Sequence, residues 1–374
     1  PEESGPEDPA EGRPLNVLVL ASDSREGDNL AIDGSGTSDG MRSDTAMLAH
    51  ISADRTHVDV VSIPRDTLVD IPSCHLPDGT STEPQTQAMF NSAFAIGGAT
   101  GDVGAAAACT IRTVEALTGV YVDDFVVVDF TGFIKVVDAL GGIAMYLPED
   151  INDSKADLQI EAGCRLLDGE LALGLARSRY SFADGSDISR IGRQQEIVME
   201  IIEEALTSRL LTDPIRLYRV LDVSTQTLTT SRGFGDIPQL VGLASSLASI
   251  TADSITLVTM PFDWAGARVV PNESYAPYVW EALASDRPLD STLSGVAWAI
   301  AEAGVPAWEP GAVWPVPEPA SSSTETSPGT TTTAPLPPDA PSTPPASGGE
   351  TDAPATVAPE IVDPAGNCTK ENAT

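Results

Sequence analysis

Positive charge is what this sequence has least of. Lys and Arg together number 20 against 55 Asp and Glu, a formal net charge of −35, and lysine stands only at Lys135, Lys155 and Lys370. A chain this acidic has no general basic face, which argues against nucleic acid as a partner and against a polybasic hold on anionic lipid. Histidine is scarcer still, and the four cysteines form no CxxC pair, so no zinc-type cluster is read from the sequence. His50, His57 and His75 are taken as packed or exposed strand residues with no catalytic partner motif. No apolar run reaches 18 residues, and the best stretch, SGVAWAIAEAGVPAW, is interrupted by Glu302, so no membrane span is expected within the chain. The common phosphate signatures, GxxxxGK[ST] and GxGxxG after a strand, are missing, as is an EF-hand loop; GTSDG (36–40) has the GxSxG spelling but lies in the loop between two strands, so no nucleophile elbow is read.

Large apolar residues also run out from about Pro315, where the text becomes PVPEPASSSTETSPGTTTTAPLPPDAPSTPPASGGE. Such a segment buries too little surface to offset its chain entropy, so residues 311–374 are expected to form a disordered Pro/Thr/Ser-rich tail. Residues 14–310 are expected to form the folded domain, and residues 1–13 a linker. The first residue is Pro1 and not Met, which reads as a processed or excised chain. An even cysteine count beside such a tail suggests an oxidising compartment. Three pairings are open; Cys74 with Cys109 is favoured, which leaves Cys164 with Cys368.

What is present has a clear periodicity. PLNVLVLASD, DTAMLAHIS and HVDVVSIPRD read as strands, with a Gly/Ser/Asp-rich loop over residues 22–43. FNSAFAIGG and DVGAAAACTIRTVEALTG have helical composition and end in glycine. DDFVVVDF and IAMYLP read as strands around the helix TGFIKVVDALGG, LDGELALGLARSR and SRIGRQQEIVMEIIEEALTSRL as helices, and DSITLVTMP as a late strand. Strands alternating with helices imply an α/β layered domain.

The scarce cations are not scattered. Arg177, Arg179, Arg190 and Arg193 fall within 18 positions and are closed by Gln194 and Gln195. In α/β sheets ligands gather where strands run out into loops, and those ends carry Asp23 and Arg25, Arg42 and Asp44, and Arg65 and Asp66. Singly, each has an ordinary explanation as a turn residue, a cap or a surface ion pair; Asn91, for one, suits a helix N-cap. Jointly, two converging carboxylates suit a hard cation that keeps phosphate ligands, and several arginines suit bidentate grip on phosphate oxygens. That combination fits a pyrophosphate.

The order SDSR (22–25), RSDTAML (42–48), SIPRDTLV (62–69), FNSAFAIGG (90–98), TVEALTG (113–119), VVVDFTGFIKVVDALGG (126–142), LDGELAL (167–173) and ARSRY…DGSDISRIGRQQ resembles the LytR–CpsA–Psr family over about residues 14–285, with an actinobacterial flavour. The resemblance implies a three-layer α/β/α sandwich around a mixed sheet, with an apolar pocket for a prenyl chain. It implies an extracytoplasmic, membrane-anchored phosphotransferase whose anchor lies outside this sequence. Such an enzyme moves a glycopolymer with its phosphate from a polyprenyl-pyrophosphate carrier to peptidoglycan or, in some cases, to a surface protein. Mg²⁺ (or Mn²⁺) is the implied cofactor, with Asp23 and Asp44 as its ligands. Arg25, Arg42, Arg65, Arg177, Arg179, Arg190, Arg193 and Gln194 match the pyrophosphate-binding positions. Arg65, Asp66, Arg177 and Arg179 are the expected catalytic group, with Asp66 as a candidate base. FNSAF departs from relatives that carry Lys or Arg before the Asn; Met89 and Phe90 stand there. The rival readings are a non-catalytic binder of lipid-linked glycan, and a transcriptional regulator, which the net charge opposes. The Ser/Thr/Pro tail reads as a wall-spanning spacer or a glycan carrier.

Overall fold

A computed structural model describes residues 8–22, 41–153, 158–178, 187–207, 210, 213–231, 234–289, 368–370 and 372–373, with side chains of 187–191 and 207 outside the description. The β-branched runs read as strands form β1 (Leu15–Ser22), β2 (Ser43–Ile51) and β3 (Val58–Ile63). A hairpin of β4 (Leu68–Ile71) and β5 (Gln85–Met89) leads into α1 (Ser92–Gly97) and α2 (Val103–Thr118). Then come β6 (Asp124–Val128), α3 (Phe130–Leu140), β7 (Ile143–Leu147), β8 (Ile151–Asp153), β9 (Leu158–Ile160) and β10 (Gly163–Leu167). The helices α4 (Gly169–Arg177), α5 (Asp187–Thr207) and α6 (Pro214–Thr227) follow, with β11 (Thr229–Thr230) and α7 (Ile237–Ser246) after them. The described domain closes with β12 (Ile255–Thr259), β13 (Phe262–Ala265), β14 (Arg268–Pro271) and α8 (Ala276–Ala284). No helix among the described residues is long and apolar enough to cross a membrane.

The central sheet has six strands in the order β11-β6-β1-β2-β3-β12. β1 runs parallel to β6 and β3 to β12, while β2 lies antiparallel to both of its neighbours. The carboxyl ends of β6, β1, β3 and β12 therefore share one edge with the amino end of β2. That edge gathers residues from five strands.

Side chains alternate across the sheet. Leu18, Leu20, Leu48, Val61 and Ile63 face a core closed by Ala106, Cys109 and Val114 of α2 and by Val279, Trp280 and Leu283 of α8. Val17 packs on the other face with Ile51 and with Leu243 of α7. Val137 of α3, Leu175 of α4 and Ile197 of α5 belong to a neighbouring cluster on that side. The result is the expected α/β/α sandwich around a mixed sheet. Each fully buried leucine contributes roughly 1.5–3 kcal/mol.

Acidic residues do much of the local work. Asp102, Asp129 and Asp168 accept hydrogen bonds from Ala105, Gly132 and Leu171 at the starts of α2, α3 and α4, which satisfies otherwise orphaned N–H groups. α3 stops at Gly141 and Gly142, both at φ +86°, a left-handed conformation that glycine adopts without penalty. A Cβ at Gly169 would collide with the carbonyl of Ile134, so glycine lets α4 lie tight against α3.

Both favoured disulfides are present. Cys74–Cys109 ties the region after β4 to α2 across 35 residues, worth about 4 kcal/mol in the chain-entropy account. Cys164–Cys368 joins β10 to the far end of the Ser/Thr/Pro-rich segment. Lys370 Nζ there donates to the Leu140 carbonyl at 2.9 Å and pairs with Glu204 at 2.8 Å. The end of the expected tail, at residues 368–370, is thus held on the domain. The N-terminal boundary moves too. Within the expected linker, Asp8 pairs with Arg55 at 2.9 Å, both nearly buried, and Ala10 packs with Leu15 and Val17.

Candidate functional site

At the shared sheet edge, on the face covered by α3, α4 and α5, lies a cavity of about 880 Å³. Its two halves differ in chemistry. Arg42, Asp44, Arg65, Asp66, Arg177, Gln194 and Arg268 give it a charged rim, with Arg42 exposed and Arg65 half-buried. Met47, Phe130, Phe133, Val137, Ile197 and Ile201 are among the residues that give it an apolar floor, and Met47, Val137 and Ile197 are buried. Such a space suits an amphiphile with an anionic head and a hydrocarbon chain.

The rim is wired by ion pairs. The turn after β3, closed by Thr67 N–H on the Pro64 carbonyl, presents Arg65 and Asp66 in succession. Arg65 Nη1 donates to Asp44 Oδ1 at 2.7 Å, so the amino end of β2 and the carboxyl end of β3 are cross-linked by charge. Asp66 Oδ1 lies 3.1 Å from Arg268 Nη1 and 3.9 Å from Arg65 Nε. The guanidinium of Arg177 stacks 4.6 Å from the centre of the Phe130 ring, which fixes it where α4 ends over α3. Gln194 accepts from Thr45 Oγ1 at 2.8 Å, and its neighbour Gln195 donates to Ser62 and Thr259 at the ends of β3 and β12.

Of the residues expected from the sequence, the structure brings Arg42, Asp44, Arg65, Asp66, Arg177 and Gln194 to one cavity. Asp23, Arg25 and Arg179, and the side chain of Arg190, lie outside the described residues. Arg193 differs from its expected role. It is 5% exposed, donates to the Ser178 carbonyl, and is not among the cavity's lining residues. Ser178 in turn donates to buried Asp153 at 2.8 Å, so Arg193 secures the end of α4 against α5. Phe90 and Phe94, from the FNSAFAIGG segment, belong to the core on the opposite face of the sheet and do not line the cavity.

Among the lining residues that sequence reasoning passed over are Arg268, Asn91 and Asp129. Arg268 has no motif around it; the parallel bridge between Thr67 and Val269 sets β14 beside the Arg65 turn. Asn91 stands at the start of α1 but makes no side-chain cap, and it lines the cavity instead. Asp129 both caps α3 and borders the cavity.

α5 also carries a perturbed carboxyl. Burial, with Glu203 and Glu196 adding like charge, pushes Glu200 up to about 7. Its folded value exceeds the unfolded one, so its contribution is full below the unfolded value and is lost as pH rises through about 7. Glu200→Gln is expected to stabilise the protein at pH ~8 by about 1 kcal/mol, discounted for partial exposure, with little effect at pH ~5. Thermal melts of both proteins at the two pH values check this; an equal shift at both would refute it.

The sequence pattern of the LytR_cpsA_psr family matches residues 3–285. The chain is 31% identical over 223 residues to the probable cell wall biosynthesis protein LcpB of Corynebacterium glutamicum, a match covering 58% of this chain and 48% of that protein. It is 29% identical over 258 residues to the polyisoprenyl-teichoic acid–peptidoglycan teichoic acid transferase TagT of Bacillus subtilis, covering 67% and 70%. The matched region spans about half the length of the Corynebacterium relatives, 48% and 49%. The crystal structure of B. subtilis TagV superposes with a TM-score of 0.56 at 22% identity, covering 74% of this chain and 98% of that one.

Proposed function

The chain belongs to the LytR_cpsA_psr family, and from that premise we propose that it transfers a glycopolymer with its linking phosphate from a polyprenyl-pyrophosphate carrier to a hydroxyl of peptidoglycan. The observation that carries this reading is the cavity itself, a rim of arginines and carboxylates set over an apolar floor. An acceptor oxygen attacks the phosphorus bonded to the glycan, the bond to the bridging oxygen breaks, prenyl phosphate leaves, and the acceptor proton passes to a base. There is little covalent work for the protein in such a step; positioning and charge stabilisation dominate.

Arg42, Arg65 and Arg177 hold the non-bridging oxygens in this scheme, and the floor takes the prenyl chain. Arg65 is already oriented by Asp44, so its fork needs little reorganisation when the head group enters. The donors suit a hard divalent cation: Asp44 is a partly exposed carboxylate with an arginine on one oxygen, and Asp23 is its expected companion. When bound there, Mg²⁺ would neutralise charge on the pyrophosphate. Asp66 shares one oxygen with Arg268 and Arg65, and we assign it first to orienting those guanidinium groups. Proton acceptance by Asp66 would require that pairing to loosen. The two disulfides favour an oxidising compartment outside the cytoplasm.

The test is a transfer assay with a short polyprenyl-pyrophosphate glycan and peptidoglycan fragments, with and without Mg²⁺. Magnesium-dependent phosphodiester product is expected. Release of prenyl phosphate without that product would move the acceptor to a surface protein. A donor bound yet left intact would make the chain a binder.

A further inference from the structure

A second polar cluster lies at the opposite edge of the sheet, roughly 15–20 Å along β3 from the cavity rim. His50 and Asp59 are paired across β2 and β3, His57 just precedes β3, and Asp286 follows α8. Ligand atoms of His50, His57 and Asp286 all fall within 4.8 Å of one another. The sequence offered no zinc-type cluster because these residues are 236 positions apart at the extreme; the fold closes that gap.

The hydrogen bonds around His50 leave a place for a cation. Asn16 Nδ2 donates to the Tyr121 carbonyl at 2.8 Å, which orients Asn16 Oδ1 toward His50 Nδ1 at 2.7 Å. Nδ1 therefore carries the ring proton, and Nε2 turns a lone pair to Asp286 Oδ1 at 3.0 Å. Two acceptors at that distance need either a proton between them or a metal ion. His50 is fully buried. His57 Nε2 and Asp59 Oδ1 are both buried without a hydrogen-bond partner, and His57 Nε2 stands 3.6 Å from Asp59 Oδ2. Nitrogen and oxygen ligands at about 2.0–2.1 Å from a tetrahedral zinc lie about 3.3 Å apart, and the 3.0 and 3.6 Å separations bracket that value.

We propose that His50, His57 and Asp286, with Asp59 as a further oxygen donor, bind a borderline divalent cation, zinc above all, at a site separate from the cavity. Two imidazoles with carboxylates are a zinc donor set and not a magnesium one. The hydrogen bond from His50 Nδ1 to Asn16 is the outer contact that orients a ligating imidazole. Asp286, at φ +53° and with both oxygens also accepting from Ala53 N–H, is held in place by the backbone and is 30% exposed, which gives an ion a way in. Bound metal would fasten the segment after α8 to the turn between β2 and β3.

The experiment uses the tag-free chain, freed of metal with a chelator and titrated with Zn²⁺ by calorimetry and with Co²⁺ by visible absorption. A saturable site with a tetrahedral cobalt spectrum is expected. His57→Ala and Asp286→Asn should each weaken zinc binding at least about 100-fold, as loss of a ligand exceeds loss of an orienting partner. Asp44→Ala should keep the site. A folded wild type without saturable zinc binding overturns the proposal in favour of a proton shared by His50 and Asp286. Binding that survives both variants, each folded by circular dichroism, also overturns it. Asp286→Asn, altered at a partly exposed position, serves if His57→Ala does not fold.

Discussion

Arg65→Ala is expected to lower the transfer rate by about 10²–10³-fold while leaving the melting temperature nearly unchanged. Removing one preorganised donor from a site of developing negative charge typically has an effect of that size. Arg65 touches both rim carboxylates, at 2.7 Å to Asp44 and 3.9 Å to Asp66, so its loss also removes the donor that orients Asp44, while Asp66 keeps Arg268 at 3.1 Å. Arg65→Lys should recover little, because an ammonium cannot hold Asp44 and a phosphate oxygen with one planar fork. Steady-state rates with a short glycan donor, beside thermal melts, check this. A lysine variant with near wild-type rate would reduce Arg65 to a generic charge and undo its assigned role.

Val198→Trp is expected to raise KM for a long-chain prenyl donor by about 30-fold or more, with a much smaller change for a donor of one or two isoprene units. Val198 lines the cavity on α5, and an indole there would occupy space that the proposed scheme gives to hydrocarbon. Each excluded methylene forfeits about 0.8 kcal/mol of burial, so displacing half an isoprene unit suffices for the stated factor. The comparison of chain lengths is what makes the test specific. Equal losses for long and short donors would mean that the indole disturbs the rim, and that the floor does not hold the lipid.

The residues that could be read from the sequence are those whose local pattern carries their fate. β1, β2 and β3 are short, largely buried runs bounded by Asp- or Arg-bearing loops, so both the strands and Arg42, Asp44, Arg65 and Asp66 were legible together. α5 was legible as a helix but not in its facing. Gln194, Ile197, Val198 and Ile201 are spaced as one helical stripe, and they are the α5 residues that line the cavity. Arg193 lies about 100° round the helix from Gln194 and so turns into the protein, beside a carbonyl instead of a phosphate. α6 and α7 were passed over; α6 shows Ile215 and Tyr218 to solvent, which blurs its apolar stripe. Arg268 and Asp286 were beyond reach for another reason. Their partners are distant in sequence, and only the packing of β14 and of the segment after α8 brings them into place.

The bridge between Cys164 and Cys368 has a topological consequence. Everything between these two residues, a span of 204 positions that includes the whole Ser/Thr/Pro-rich stretch, is the circumference of a covalent ring. A single hydrolysis of the backbone anywhere between 290 and 367 would open the chain without dividing the molecule, because the severed end would still hang from β10 by sulfur. Glu204 and the Leu140 carbonyl would still grip Lys370, on the two helices that flank the cavity. Releasing the severed piece would need two chemistries in succession, a hydrolysis and a reduction, and the second is the one the proposed oxidising compartment would withhold.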